Sequence, residues 1–495
     1  MIKKIIMKAI KFKFLSVALG ISLLMISSCS KINEFDDTNV NPNAPTIPVP
    51  SALLSNVLAV IGNNVWGNAI AQTSALYCQY CSETQYTDAS RYTDPNLGWD
   101  GYYGGPMYDL QGIINYNTDP ATKDLALIYG SNANQIATAR ILLDYYYMVL
   151  TDTYGDLPYS AALKNNPTIA FDKQQDVYPA LINDLKSAVA QFDAGAVFQG
   201  DFVYSGSTAK WKKFGNSLRA ILALRMSKIN PTLGKTEFAA AITAGVITAN
   251  ADNFTIAYPG GNYRNPVNNY YVITQRFDYA VSKTITDKLT ALADPRISKF
   301  GHTSKGFPYG LSRDDAIAWS DVNADYANLL AYTSTPQTFP FHVISAGQVW
   351  LARAEAAKLG WTADDATVAY NTGISSSMEQ WGISAAATTT YLAQSSVMLN
   401  GINDLQKIAE QRWISHYPDG NQGWAEWRRT STAANPNGYP ALLPAPGAGK
   451  QIPRRMAYGP NDPLYNPTNW NAAATGYTVG GVKDSQDARV WWDKP

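Results

Sequence analysis

Residues 214–231 read FGNSLRAILALRMSKINP. Phe214, Leu218, Ile221, Leu222, Arg225, Met226 and Ile229 recur at three- and four-residue steps, the period of one face of an α-helix. Asn230-Pro231 then supplies a stop signal. The same period returns in Val177, Leu181, Leu185, Val189 and Phe192, and in Ile344, Trp350, Leu351, Ala354 and Leu359 ahead of Gly360. Ile402, Leu405, Ile408, Ala409 and Trp413 mark a fourth helix, and residues 134–150 are apolar nearly all round, as in a helix packed on several sides. Alternating strand patterns are few, residues 253–258 being the best of them. Pairing of 134–150 with 177–192, and of 344–359 with 363–378, hints at a helical-repeat core. The fold class expected is mainly α, a single large domain of helical hairpins with long irregular loops.

Composition narrows the function. The chain has 495 residues with 39 basic and 39 acidic side chains, so a basic nucleic-acid footprint is not expected. An apolar fraction of 46% excludes a wholly disordered chain. Between the helices lie stretches rich in Gly, Pro, Asn and Tyr: 82–105, 258–272, 302–338 and 435–481. Structureless loops beyond about 12–15 residues are uncommon and often functional.

The N-terminus reads as a targeting segment. Lys3, Lys4, Lys8, Lys11 and Lys13 precede an uncharged apolar run from Phe14 to Met25. That run is shorter than the ~20 residues a membrane-spanning helix needs. Ile26-Ser27-Ser28-Cys29 follows and resembles a bacterial lipobox, in which the cysteine becomes the acylated first residue of the mature chain. Residues 1–28 are thus expected to be a signal peptide. Their removal takes away five lysines and no acid, which moves the formal charge from zero to −5. Stable anchoring needs more than one acyl chain, which suits a triacylated, palmitate-bearing Cys29. Residues 29–50 hold Glu34, Asp36, Asp37 and four prolines and read as a stiff polar tether. Residues 51–495 form the remaining domain.

Catalytic and metal motifs are missing. Cys78 and Cys81 have no second cysteine pair for zinc and no following His for haem. They read as two small buried side chains or a local disulfide. His302, His342 and His416 lie outside metal-ligand spacing, and no nucleophile elbow, His-Glu-x-x-His, phosphate loop or dinucleotide fingerprint occurs. Asp314-Asp315 and Asp364-Asp365 are adjacent pairs whose side chains point apart. Glycosidase carboxylates lie far apart in sequence, so a lipid-tethered glycoside hydrolase stays open beside a binding protein and a ligand-free helical adaptor. No cofactor and no metal are expected.

Several segments, in order from residue 41 to 493, resemble the SusD/RagB family of outer-membrane nutrient-binding lipoproteins, in its SusD-like subgroup. They are Asn41-Pro42-Asn43-Ala44-Pro45-Thr46, Tyr154-Gly155-Asp156-Leu157-Pro158-Tyr159 and Trp211-Lys212-Lys213-Phe214. Ala352-Arg353-Ala354-Glu355-Ala356, Gln411-Arg412-Trp413-Ile414, Trp427-Arg428-Arg429-Thr430, Ile452-Pro453-Arg454-Arg455 and Val490-Trp491-Trp492-Asp493 continue the series. The resemblance implies a fold of tetratricopeptide-like hairpins. It also implies a cell-surface lipoprotein that lids a TonB-dependent SusC-like transporter and captures an oligosaccharide or similar nutrient.

The residues carry readings of their own. Asp156 is placed to accept hydrogen bonds from the turn's amides. Lys212 and Lys213 near a helix start call for partner carboxylates. Arg353 and Glu355 cannot face each other, Arg428 and Arg429 suit bidentate pairing with buried carboxylates, and Trp491 and Trp492 suit docking of the C-terminus. A sugar ring packs its C–H face on a Tyr or Trp ring and its hydroxyls on Asn, Asp, Gln and Arg. The candidate platform is Tyr86, Tyr92 and Trp99 from the first long loop, Tyr263, Tyr270 and Tyr271 from the second, and Trp319 from the third. Arg91, Asn96, Arg264, Asn268 and Asn269 are the polar candidates. The resemblance implies a Trp-x-x-x-Tyr packing motif here, on which Trp99, Tyr102, Tyr103 and Tyr108 would instead start a core helix.

The anchor is testable alone. Cys29→Ser should abolish palmitate labelling and globomycin-sensitive processing and release the chain from membranes. A labelled, membrane-bound variant would contradict the assignment.

Overall fold

The longest helix, Asn132–Tyr154, is buried around almost its whole circumference. A computed structural model describes residues 48–495 apart from 165, 167 and 331–335. The expected signal peptide, Cys29 and the expected tether up to residue 47 lie outside the described residues. Residues 50–495 form one compact unit. Among the described residues no helix is long and apolar enough to cross a membrane.

Fifteen helices of eight or more residues are described. They begin with α1 (Pro50–Ile61), α2 (Ala69–Tyr77), α3 (Pro106–Thr118), α4 (Asn132–Tyr154) and α5 (Gln174–Gln191). Next come α6 (Thr208–Arg225), α7 (Pro231–Ala244), α8 (Lys283–Ala291), α9 (Arg313–Asp321), α10 (Ala346–Lys358) and α11 (Ala366–Gln380). The last are α12 (Ala385–Leu392), α13 (Asp404–His416), α14 (Gly420–Thr430) and α15 (Pro467–Thr475). Successive helices pack as pairs: α4 with α5, α6 with α7, α10 with α11, and α13 with α14. The two pairings expected from the sequence are among them.

Local chemistry sets the ends. The Ser131 hydroxyl accepts from the Asn134 amide and starts α4. Gly155 ends it at φ +91°, where a Cβ would run into the Tyr477 ring. Ser345 and Gln348 form a capping box on α10. Gly420 lets α14 approach α2 so closely that a Cβ would strike the Ala75 backbone.

Strand content is two antiparallel pairs among the described residues. β1 (Cys81–Glu83) pairs with β3 (Tyr279–Val281) in the register Cys81↔Val281, Ser82↔Ala280, Glu83↔Tyr279. β2 (Phe254–Ile256), inside the expected alternating segment, pairs with β4 (Phe341–Ile344).

Two stretches expected to be irregular contain longer helices. α9 lies within 302–338 and α15 within 435–481. Only Ala316 of α9, and only Ala473 and Ala474 of α15, are buried, so neither carries an apolar stripe that periodicity can register. The Ser312 hydroxyl caps α9 by accepting from Asp315, and Pro467 opens α15.

Charge holds the helices in register. The Arg412 guanidinium of α13 reaches Glu426 at 2.7 Å, and Arg429 of α14 pairs with both Glu355 oxygens at 2.6 Å. Arg429 also meets Glu426 at 2.9 Å. Burial alone would raise the Glu426 carboxyl, but Arg412 and Arg429 hold it well below the usual carboxylate range. Arg353 turns the other way and binds Asp364 at 2.7 Å, so it and Glu355 serve different contacts. Arg428 departs from expectation. Its guanidinium donates to the carbonyls of Asp152 at 2.7 Å and Arg454 at 2.9 Å and stacks on Trp424, 3.7 Å from the ring centre. The Trp492 indole donates to Asp152 at 2.9 Å and docks the C-terminus as expected. Asp156 accepts not from its own turn but from Lys173, the Gln174 amide and the Tyr477 hydroxyl, which ties the turn to α5. Lys213 meets Asp252 at 2.7 Å.

Cys78 and Cys81 are free thiols in the core. Burial pushes Cys81 up to about 12, so both are the small buried side chains of the first reading, not a disulfide.

Removing Glu426 would leave two buried guanidiniums without their shared carboxylate. Glu426→Ala should lower unfolding free energy by about 3–5 kcal/mol in a denaturant titration. A loss under about 1 kcal/mol would show that the network is not structural.

Candidate functional site

The β1–β3 ladder gathers the long loops. β1 opens the first loop, and β3 closes the segment that follows the second. The Thr84 amide and hydroxyl donate to the carbonyls of Asp278 and Phe277 at 2.8 and 2.7 Å. The third loop joins through Phe307. Its amide donates to the Val281 carbonyl at 2.8 Å, and its carbonyl accepts from the Lys283 amide and the Ser82 hydroxyl. The first segment lies about two hundred residues ahead of the other two, and all three thereby share one surface.

Tyr86 stands on that surface with 48% of its area exposed. The guanidinium carbons of Arg313 and Arg276 lie 5.3 and 5.8 Å from its ring centre. Arg276 donates to Asp278 at 2.7 Å, and the Tyr270 hydroxyl donates to the same carboxylate at 2.9 Å. The Gln85 amide reaches Asp278 as well. Tyr270 sets its ring edge-on to Trp66, with centres 5.3 Å apart, so the knot rests on the core. An exposed ring beside guanidinium donors and a carboxylate acceptor can pack an apolar sugar face and pair its hydroxyls.

The candidates from the sequence divide. Tyr86, Tyr263 and Asn269 are exposed, and Tyr270 and Trp319 are half-buried. Trp319 packs edge-on to Phe307 at 4.6 Å with the Lys305 ammonium over it. Tyr263 sits on a tight turn bridged to Gly260, and no ring contact joins it to Tyr86 among the described residues. Tyr92, Asn268 and Tyr271 are buried and are corrected from platform to core, and Trp99 is buried apart from an edge on a separate cleft. The Tyr92 hydroxyl accepts from the Ala445 amide, and the Tyr271 hydroxyl donates to the Tyr279 carbonyl at 2.7 Å. Trp99 belongs to a ring cluster with Tyr103, Tyr154, Phe171 and Tyr458, whereas Tyr102 and Tyr103 are half-buried and Tyr108 is exposed.

Two polar candidates brace loops. Arg91 donates to the carbonyls of Gly310, Pro446 and Gly447, and Arg264 to that of Gly261. Asn96 is exposed in a turn closed by its own amide on Asp94 at 2.9 Å. Arg276, Asp278 and Arg313 are not legible in the sequence, because strand pairing and not sequence neighbourhood brings them to Tyr86.

The acidic pairs are engaged elsewhere. Asp364 binds Arg353, Asp365 caps α11 through the Thr367 and Val368 amides, and the Asp315 carboxylate accepts from the Ser312 hydroxyl on exposed α9. Among the described residues no three His, Cys, Asp or Glu side chains are grouped to hold a metal ion.

The sequence matches a family model described as SusD-like, "starch-binding associating with outer membrane", over residues 42–459. The chain belongs to the SusD-like family. Among solved structures it is similar to a chitin-binding protein, at 26% identity and TM-score 0.75, over 90% of this chain and 100% of that one. A chitin-binding SusD homologue from Flavobacterium johnsoniae shares 25% identity at TM-score 0.73, over 90% of this chain and 98% of the other. A SusD-like protein from Bacteroides thetaiotaomicron has the same fold at 24% identity and TM-score 0.74, over 90% and 99%. No curated protein matches by sequence. Family and mainly helical fold are those expected from the ordered motifs.

Glu83 of β1 lies beneath this surface and accepts from the Ser90 amide and hydroxyl, both at 2.8 Å. Burial raises it to about 7. The unfolded chain sheds this proton near 4.3 and the folded chain does not, so its contribution to stability falls as pH rises from about 4.5 to 7. Glu83→Gln keeps an acceptor without a titrating proton. The variant should gain on the parent by roughly 3 kcal/mol across that window in denaturant titrations at several pH values. A constant difference would show that Glu83 titrates normally.

Proposed function

We propose that this SusD-like protein is a lipid-anchored receptor at the outer face of the outer membrane. It binds an oligosaccharide through the surface centred on Tyr86 and passes it to a partner TonB-dependent transporter. The observation that carries the reading is the convergence of three loops on one exposed ring flanked by Arg276, Arg313 and Asp278. Family membership supports the outer-membrane setting, and two structural relatives named for chitin binding support a saccharide ligand. The lipobox at Cys29 supplies the anchor, and residues 29–50 supply the reach.

Binding fits the carboxylate at this surface. Asp278 accepts from Arg276, Tyr270 and Gln85, which fixes it as an acceptor. A hydrolase would release new reducing ends from candidate polysaccharides.

Tyr86→Ala and Arg313→Ala should each weaken oligosaccharide binding about tenfold or more, near 1.4 kcal/mol, in calorimetric titration. Thermal unfolding should be nearly unchanged because both side chains are exposed. Tyr92→Ala, in the core, should instead lower the unfolding temperature. Undiminished binding in the Tyr86 and Arg313 variants, or new reducing ends, would overturn the reading.

A further inference from the structure

A cleft of about 630 Å³ opens elsewhere on the molecule, within the size range of small-molecule sites. Segments around residues 99–108, 158–171 and 461–466 line it. Trp99 and Tyr103 supply one wall, with their rings edge-on at 6.2 Å, and the Tyr103 hydroxyl is committed to the Pro158 carbonyl. Tyr108 and Tyr465 add two rings that stand largely in solvent, Tyr465 with 73% of its area exposed. A surface tyrosine gains nothing for folding from such exposure, and the pair flanks a concave space wide enough for a ring-shaped ligand.

The charge in the cleft is one-sided. Asp100 and Asp462 both line it, and among the described residues no Lys, Arg or His does. The Asn461 amide donates to one Asp100 oxygen at 2.7 Å, and the Asn466 amide is committed to the Ile169 carbonyl at 2.6 Å. The two carboxylates therefore offer acceptors and ask a ligand for donors. A neutral hydroxyl satisfies an acceptor but leaves two like charges facing each other. A protonated amine brings three donors, cancels the repulsion and gains from the aromatic faces. Carboxylates and electron-rich rings together favour a cation, and rings favour one carried on a body with a flat C–H face.

We propose that this cleft is a second saccharide site, distinct from the Tyr86 surface, which takes an amine-bearing sugar with its ammonium between Asp100 and Asp462 and its ring against Tyr108 and Tyr465. The site gives the receptor a preference for unacetylated amino sugars that the Tyr86 surface, with its two guanidiniums, does not supply.

The cleft also carries a pH signature. Burial, and then the charge of Asp100, raise the Asp462 carboxyl to about 7. Asp484 adds to the repulsion and is itself held by Arg455 at 2.6 Å and by the Tyr458 amide, while the Trp99 indole opposes it by hydrogen bonding to Asp462. Ionisation of Asp462 completes the cation site, so affinity for an amine should climb as pH rises toward 7.

The test is calorimetric titration of the full chain at pH 7 with a β-linked glucosamine tetramer, its fully N-acetylated counterpart and tetralysine. The glucosamine tetramer should bind at least about tenfold more tightly than either. Asp100→Asn and Tyr465→Ala should each remove that preference, Tyr86→Ala should leave it in place, and the ratio of parent to Asp462→Asn affinity should rise between pH 5.5 and 7, a comparison in which the ligand's own titration cancels. Equal affinity for the acetylated tetramer would overturn the cation preference, and equal affinity for tetralysine would overturn the saccharide assignment. Loss of the preference in the Tyr86 variant, or its survival in the Asp100 and Tyr465 variants, would place it on the other surface. No binding of the glucosamine tetramer would refute the site outright.

Discussion

Six residues decide what the loops of this protein can do. The antiparallel ladder of Cys81–Glu83 with Tyr279–Val281 joins chain segments that share no local sequence signal. Phe307 is then hydrogen-bonded to Val281 and Lys283 from the third segment. An isolated two-stranded pair is marginal in water. This one persists because Cys81, Ser82, Ala280 and Val281 are buried, and Trp66 packs against Tyr270 and Tyr279 at its edge. Without the ladder, Tyr86, Arg276 and Arg313 would belong to three unrelated loops.

The helical body gives that ladder a fixed base. Core burial supplies the nonspecific driving force, and the Glu355–Arg412–Glu426–Arg429 cluster specifies which helices meet. Two buried acids opposed to two buried guanidiniums are balanced, so the cluster costs little only while it is intact. Trp492 and Arg454, which meet Asp152 and Asp493, bring the chain end into the same network. Rigidity of this kind is what a receptor needs if its loops are to hold a preformed surface.

Much of this was legible in the sequence, and the boundary has a physical cause. Helices with a wide apolar stripe, such as α5 and α6, announced themselves by period, and α4 by being apolar nearly all round. α9 and α15 bury one or two small residues each and left no stripe to find. Among candidate site residues, composition pointed to loops in which Tyr86, Tyr263 and Asn269 are exposed. It could not separate a ring in solvent from a ring in the core, so Tyr92 and Tyr271 were grouped with Tyr86. Arg276, Asp278 and Arg313 were invisible because only tertiary pairing gives them a shared purpose. Tyr465 and Asp462 lay in a stretch read as irregular, far in sequence from the Trp99–Tyr108 segment they face.

The central claim is that three loops act as one ligand-binding surface. Hydrogen exchange by mass spectrometry, with and without a saturating oligosaccharide ligand, reads each loop separately. Slowed exchange should fall together on residues 82–91, 269–279 and 307–319. Protection confined to a single one of these segments, or found only outside all three, would contradict the account.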